Sequence, residues 1–272
     1  MKKALLIGFL SVVLVACATS PTGRRQLMLV SPDMAISSSQ TAYVQQMRAF
    51  DEKGLISKDQ ALVERVNLIT GRLVAQAIKM YPHTESWEWS VEVIDDPKTV
   101  NAWAMAGGRM AIYTGLIEQT KATDDEIAQV MAHEIAHALA NHTAERMSVV
   151  MASQLGVLAV GIGTRDDRAM AGAAGAALLA VNLPNSRTAE TEADRIGIEL
   201  AAKAGFHPDA AASLWKKMGE VGGSGPPQFL STHPAPGNRQ ETLGKLAPKM
   251  MPYYEAAKQQ QLPVYPMKPG RY

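Results

Sequence analysis

His133-Glu134-Ile135-Ala136-His137 decides how the rest of this chain is read. The stretch has the form H-E-x-x-H, inside a run whose pattern predicts a helix. On a helix, residues i and i+4 lie on one face, so both imidazoles point the same way. Two neutral imidazoles at that spacing can take two corners of a tetrahedral zinc site. Glu134 falls about 100° around the helix from His133, beside such a metal rather than on it. A carboxylate there can take a proton from water that the metal activates, which makes the stretch a hydrolase signature. Upstream, Thr123-x-x-Glu126 is a capping box that opens this helix, and Asp124, Asp125 and Glu126 suit the dipole of its first turn.

A zinc hydrolase needs three protein ligands and one open position for water. His142 lies five residues past His137, about 140° around a continued helix and away from the metal face. Metzincin spacing requires a Gly and then a His where this chain has Ala140 and Thr143, so that subclass is excluded. Glu190, in Glu190-Thr191-Glu192-Ala193-Asp194, is the better third ligand. On a helix, Glu190 and Asp194 share a face, with Ala193 close to it and Glu192 opposite. Glu190 can then ligate while Asp194 accepts an N–H from a ligating imidazole, fixing its tautomer and orientation. Small Ala193 and Gly197 on this face let the helix approach the histidine helix closely.

H-E-x-x-H followed some fifty residues later by S-R-x-x-E-x-E-A-D (Ser186-Arg187 through Asp194) resembles one gluzincin family. That family holds the CaaX prenyl endopeptidases, the HtpX-type heat-shock proteases and periplasmic quality-control proteases of the BepA type. The resemblance runs from about Leu62 to Leu246. It implies an α+β, mostly helical zincin fold, with a small β-sheet whose edge strand borders the active-site cleft. It also implies one Zn²⁺ on His133, His137 and Glu190, with Glu134 as catalytic base. Asn101-Ala102-Trp103-Ala104-Met105, followed by Gly107-Gly108 and Tyr113-Thr114-Gly115-Leu116, looks like the family's substrate-binding edge strand. Such an edge offers unpaired backbone groups to which an extended peptide can add as another strand. Arg109-Met-Ala-Ile-Tyr113 has short apolar β character of its own. Ser231-Thr232-His233-Pro234 is similar to the family's T-H-P loop, with Arg239 six residues after the histidine. His233 can donate to the oxyanion of the tetrahedral intermediate, or it can occupy the open zinc position and hold the enzyme off. Arg239 can buttress the loop or bind a substrate carbonyl.

The N-terminus reads as an export signal. Lys2-Lys3 precede an apolar run from Ala4 to Ala16, shorter than the roughly 20 residues that span a bilayer. Leu14-Val15-Ala16-Cys17 resembles a bacterial lipobox, which implies cleavage before Cys17 and acylation of that cysteine. It is the only cysteine, so disulfides are excluded. Ala18 rather than Asp after it resembles the sorting pattern of outer-membrane lipoproteins, with the domain facing the periplasm. A formal net charge of +1 points to no nucleic-acid surface. The expected organisation is a signal peptide over 1–16, a lipidated N-terminus and tether over 17–56, with little structure in its Ser-, Thr- and Pro-rich residues 18–40, a peptidase domain over 57–250 and an extended tail over 251–272. The expected partners are misfolded envelope polypeptides, the membrane through the lipid anchor, and outer-membrane assembly machinery. The competing class is a non-proteolytic, chaperone-like assembly factor using the same cleft.

Within the domain, Ser57-x-x-Gln60 predicts a capping box before a helix to Met80, and Trp87–Val93 alternates as a half-buried strand does. Val149 to Val181 is small and apolar, split by Arg165-Asp166-Asp167-Arg168, and predicts two closely packed helices or a mobile, membrane-leaning element. Pro184 and Asn185 predict a break before the Glu190 helix, Gly205 and Pro208 a helix end and a restart, and Gly222 to Pro227 a flexible turn before the His233 loop. The fifteen methionines read as core filler.

Overall fold

The computed structural model describes residues 17–164, 168, 171, 172, 174, 186–221, 227–234, 238–268 and 270. The expected leader, most of the second small-residue segment, the Pro184-Asn185 break and most of the turn before Pro227 lie outside the described residues. In chain order the elements are β1 (Cys17–Thr19), β2 (Arg25–Leu27), α1 (Pro32–Glu52), α2 (Gln60–Met80), a 3-10 turn (Pro82–Ser86), β3 (Ser90–Ile94), β4 (Ala102–Met105) and β5 (Arg109–Tyr113). There follow α3 (Thr114–Gln119), α4 (Asp124–Leu139), α5 (His142–Thr164), α6 (Arg187–Lys203), α7 (Ala210–Glu220), α8 (Gln228–Thr232) and α9 (Arg239–Lys258). Mostly helical, with small sheets, this is the expected fold class. The chain divides into two compact units, Met1–Ala35 with Asn141–Leu183, and Ile36–Ala140 with Pro184–Tyr272.

In the smaller unit, β1 and β2 form an antiparallel hairpin. Arg24 forks onto Glu145 of α5 with two 2.6 Å bonds, and the Val30 amide donates to Ser148 Oγ. Beyond Ser148, α5 carries no charge, and none of its side chains from Val149 to Gly161 is buried. No helix among the described residues is long and apolar enough to cross a membrane.

Residues 18–40, expected to have little structure, instead supply the hairpin and the start of α1. Their Ser- and Thr-rich composition hides a stripe: Ala35, Ser39, Tyr43 and Met47 recur every fourth residue and are all buried. Ser31 Oγ also accepts from the Met34 amide at the helix start.

The larger unit is built on a three-stranded sheet of order β3-β5-β4, with β3 parallel and β4 antiparallel to the central strand. Thus β4 is an edge strand. The β4–β5 turn needs glycine: Gly108 has φ +85, and a Cβ there would lie 2.5 Å from the Trp89 ring. Strand β3 starts at Ser90 rather than Trp87, because the 3-10 turn before it takes the Trp87 amide, and the Trp89 indole N–H, onto Thr84 O. Asp59, not Ser57, caps α2, accepting from the Leu62 amide at 3.1 Å. Val66, Ile69, Leu73 and Val74 of α2 pack with Val91, Met110 and Ile112 of the sheet and Ile127, Met131 and Ile135 of α4.

Helix α4 opens with the expected capping box at Thr123 and Glu126, and every residue from Glu126 to Leu139 is buried. It stops before Asn141, whose φ is +55, so His142 starts a separate helix. Ser186 caps α6 through the Ala189 amide. Gly197 of α6 sits so close to α4 that a Cβ would lie 3.0 Å from the His133 backbone. Gly205, φ +78, ends the run after α6, and Arg72 binds the Ala204 and Gly205 carbonyls there. The chain past Pro252, expected to be extended, stays helical to Lys258. Pro248 and Pro252 lie four apart, so the amide absent at Pro252 is one that would have bonded Pro248 itself. Leu243 and Ala247 pack with Ile198 and Ala211, which holds the helix against that loss. The following segment is pinned as Tyr265 N–H bonds Gly71 O and Gly270 N–H bonds Glu92.

Gly197→Val should cost about 1–3 kcal/mol of unfolding free energy, because the branch meets backbone that cannot move aside. Urea unfolding of both proteins, followed by circular dichroism, measures the difference.

Candidate metal centre

Glu126 begins the buried run of α4, and its own bonds to the Thr123 amide, Ser213 and Lys217 fix the helix start. Seven and eleven residues along, the same helix delivers both histidines to the core. His133 Nε2 and His137 Nε2 lie 3.0 Å apart. From α6, one Glu190 oxygen lies 3.2 Å from His133 Nε2 and the other 3.4 Å from His137 Nε2. His233, at the end of α8, places Nδ1 3.3 Å from His133 Nε2 and 3.1 Å from Glu190 Oε1. All four ligand atoms lie within 4.8 Å of one another, and all four residues are buried. Ligands of a tetrahedral zinc at Zn–N of about 2.0–2.1 Å stand roughly 3.3 Å apart, which is the spacing found here.

Charge fits the same ion. Glu134, Glu190 and Asp194 are buried around one buried guanidinium, that of Arg239. Ionised, three carboxylates against one cation leave two negative charges for a divalent ion to balance. Burial would lower the His133 imidazole, and Arg239 adds to that, yet Asp194 and Glu190 outweigh both and push it up to about 9. Burial would likewise raise the Glu190 carboxyl, but bonds from His133, His137 and His233 hold it well below the usual carboxylate range. The position draws positive charge.

Asp194 Oδ1 lies 3.1 Å from His133 Nδ1 and also meets Arg239 Nη2. A guanidinium cannot accept, so Asp194 is the acceptor for both, and His133 turns its Nε2 lone pair to the cluster. Arg239 Nη1 donates to Glu190 Oε2 at 3.1 Å. Arg239 is therefore engaged with the carboxylates of α6.

Glu134 faces the cluster from the side. Oε2 accepts the amide of Ala104, on edge strand β4, at 3.1 Å. Oε1 is buried 3.4 Å from His233 Nε2, without a hydrogen-bond partner among the described residues. Burial raises its carboxyl above the ordinary range, against the pull of His233 and His133. Of the expected substrate strand, Ala102–Met105 forms β4, and Asn101 precedes it with its side-chain oxygen buried and unpaired. Phe229 N–H bonds Val100 O, which ties α8 to the entrance of β4. Ala235, Pro236 and Gly237, in the loop after His233, lie outside the described residues.

Neither Trp215 nor Phe229 stands out in the sequence, yet both touch the centre. Phe229 stacks on His233, with ring centroids 4.4 Å apart and planes 21° apart. Trp215 lies under the Arg239 guanidinium. They come from separate elements, so no local spacing links them to the motifs.

A buried histidine pair one helical turn apart, a carboxylate from a second helix and an acid bonded to a sheet edge define a zincin-type metallopeptidase domain. The sequence profile of Peptidase family M48 matches residues 62–247, and the chain belongs to that family, whose members use zinc. It is 33% identical over 243 residues to the mitochondrial metalloendopeptidase OMA1 of Bos taurus, covering 85% of this chain and 46% of that protein. The OMA1 of Saccharomyces cerevisiae is 36% identical over 179 residues, 62% of this chain and 50% of that protein. A beta-barrel assembly-enhancing protease of Yersinia pestis is 30% identical over 230 residues, 81% of this chain and 45% of that protein. The chain thus spans about half the length of the curated relatives it matches.

Zinc analysis of purified protein should find about one ion per chain. His137→Ala should lose it, while the isosteric control Gln129→Glu, outside the cluster, should keep it.

Proposed function

We propose that this chain is a zinc-dependent endopeptidase of the bacterial cell envelope, held to the membrane by acylated Cys17 and facing the periplasm. The observation that carries the peptidase reading is the convergence of His133, His137 and Glu190 beside a Glu134 that touches the sheet edge. Zinc, when bound, polarises a peptide carbonyl and acidifies water. Glu134 takes the proton of the attacking water on Oε1 and hands it to the leaving amine. Its other oxygen is steadied by the Ala104 amide, so base and substrate strand are held in one register. An extended polypeptide pairs along Asn101, Ala102, Trp103, Ala104 and Met105.

His233 and Arg239 take different roles. With the metal bound, His233 would take its fourth position and restrain it; its Nδ1 lies as near to Glu190 as the other imidazoles do. Arg239 buttresses the ligand carboxylates, and Asp194 orients His133. The substrates are misfolded or stalled envelope proteins. Support comes from the lipobox-like Leu14–Cys17 and from likeness to a protease named for β-barrel assembly. Outer-membrane assembly machinery is the corresponding partner.

Glu134→Gln should keep its zinc and lose cleavage of an unfolded polypeptide by 10²–10⁴-fold. Retained cleavage removes Glu134 as the base. The same variant separates the rival class, since a chaperone-like assembly factor would still rescue a strain lacking the protein. His233→Ala should raise basal cleavage; a fall alone, at any substrate concentration, would assign it to the oxyanion instead.

A further inference from the structure

We propose that Trp215 is a positioning residue of the metal centre: its indole face carries the Arg239 guanidinium, and through it orients the two α6 carboxylates that meet the imidazoles. This rests on reading the cluster as a zinc centre. The Arg239 guanidinium carbon lies 3.5 Å from the Trp215 ring centroid, well inside the range of about 6 Å over which such pairs attract. The guanidinium is buried, with its Nε unpaired; Nη1 donates to Glu190, while Nη2 meets Asp194 and lies 3.0 Å from His133 Nδ1. These contacts all lie at the outer edge of the fork, and its Nε end is left unheld. The indole face beneath it supplies the missing constraint.

Trp215 also reaches the ligands directly. It meets the His133 ring edge-on, with centroids 6.4 Å apart, and lies 5.5 Å from Phe229, on which His233 stacks. One side chain of α7 therefore touches the buttress, one ligand and the support of another. It also lines a small cavity with His133, Asp194, Leu214 and Phe229. Cutting the indole back enlarges that space, into which the guanidinium can swing. Glu190 then loses a donor, and Asp194 loses one of the two groups that fix its rotamer. A flat aromatic keeps the platform; an aliphatic side chain of any volume does not.

Zinc affinity of the full chain, measured by competition with a chelating dye, tests this without recourse to activity. Trp215→Leu should weaken zinc about tenfold, and Trp215→Tyr should restore most of the loss. At saturating zinc, kcat should fall with KM unchanged. With Arg239→Lys already in place, Trp215→Leu should add little further loss, because the two act in series. A folded Trp215→Leu that binds zinc within about twofold of wild type overturns the proposal, as does a full multiplicative loss in the double variant. If Trp215→Leu does not fold, Trp215→Tyr and Trp215→Met carry the comparison: weaker zinc in Met alone supports the platform, and equal affinities overturn it. Zinc retained by His137→Ala would sink the zinc-centre reading and this proposal with it. Zinc lost by His137→Ala but untouched by Trp215→Leu overturns this proposal alone.

Discussion

The centre is a knot of buried charge that hydrophobic packing cannot stabilise by itself. Glu134, Glu190 and Asp194 sit in the interior with a single guanidinium between them. Burying an uncompensated carboxylate costs several kcal/mol, so the surrounding helices hold together only if the excess is balanced. Arg239 balances part of it, and a divalent cation balances the remainder. Ligand binding and folding are then coupled, because the pocket reaches its full stability only when both cations are present. The close α4–α6 contact follows from this demand. Ligands on two helices must come within one coordination sphere, and a side chain at Gly197 would hold the helices apart.

The motifs were legible because each one is local. H-E-x-x-H and E-x-E-A-D specify which face of a helix carries which group, and the 3.6-residue period does the rest. The capping box at Thr123 and the edge position of β4 were equally readable, the first from spacing and the second from resemblance. What failed was composition used as a guide to order. Serine and threonine in α1 suggested a tether, while Ala35, Tyr43 and Met47 formed a buried stripe at helical spacing. Prolines in α9 suggested an extended tail, while Leu243 and Ala247 pack that helix against Ile198 and Ala211. Ser57 lost the cap to Asp59, whose carboxylate meets the Leu62 amide while Ser57 Oγ accepts only from the Asp59 amide. Trp215 and Phe229 lay beyond any local rule, since only the fold brings α7 and α8 behind His133.

The bond from Ala104 to Glu134 joins two features that the sequence keeps thirty residues apart. An edge-strand amide ordinarily faces solvent and invites pairing. Here it is taken by the acid next to the ligand cluster, which fixes that acid against the sheet edge. The three-residue turn with Gly107 and Gly108 keeps β4 pressed on β5 and hence keeps this amide in place.

The four candidate ligands are not held equally. His133 and His137 belong to a sixteen-residue helix buried along nearly its whole length, and Glu190 to a capped helix packed against it. His233 ends a helix of five residues that has no side-chain cap. Beyond its contacts with the cluster itself, its hold consists of a stack on Phe229, the bond from its own amide to Phe229 O, and the bond from the Phe229 amide to Val100. Moving His233 breaks few contacts, whereas moving any of the other three disrupts the core. A centre with three fixed donors and one loosely mounted donor can open a coordination position without unfolding. Because the Phe229 amide is bonded to Val100 O just before β4, the mounting of the fourth donor is tied to the edge strand rather than to the helices that carry the other three.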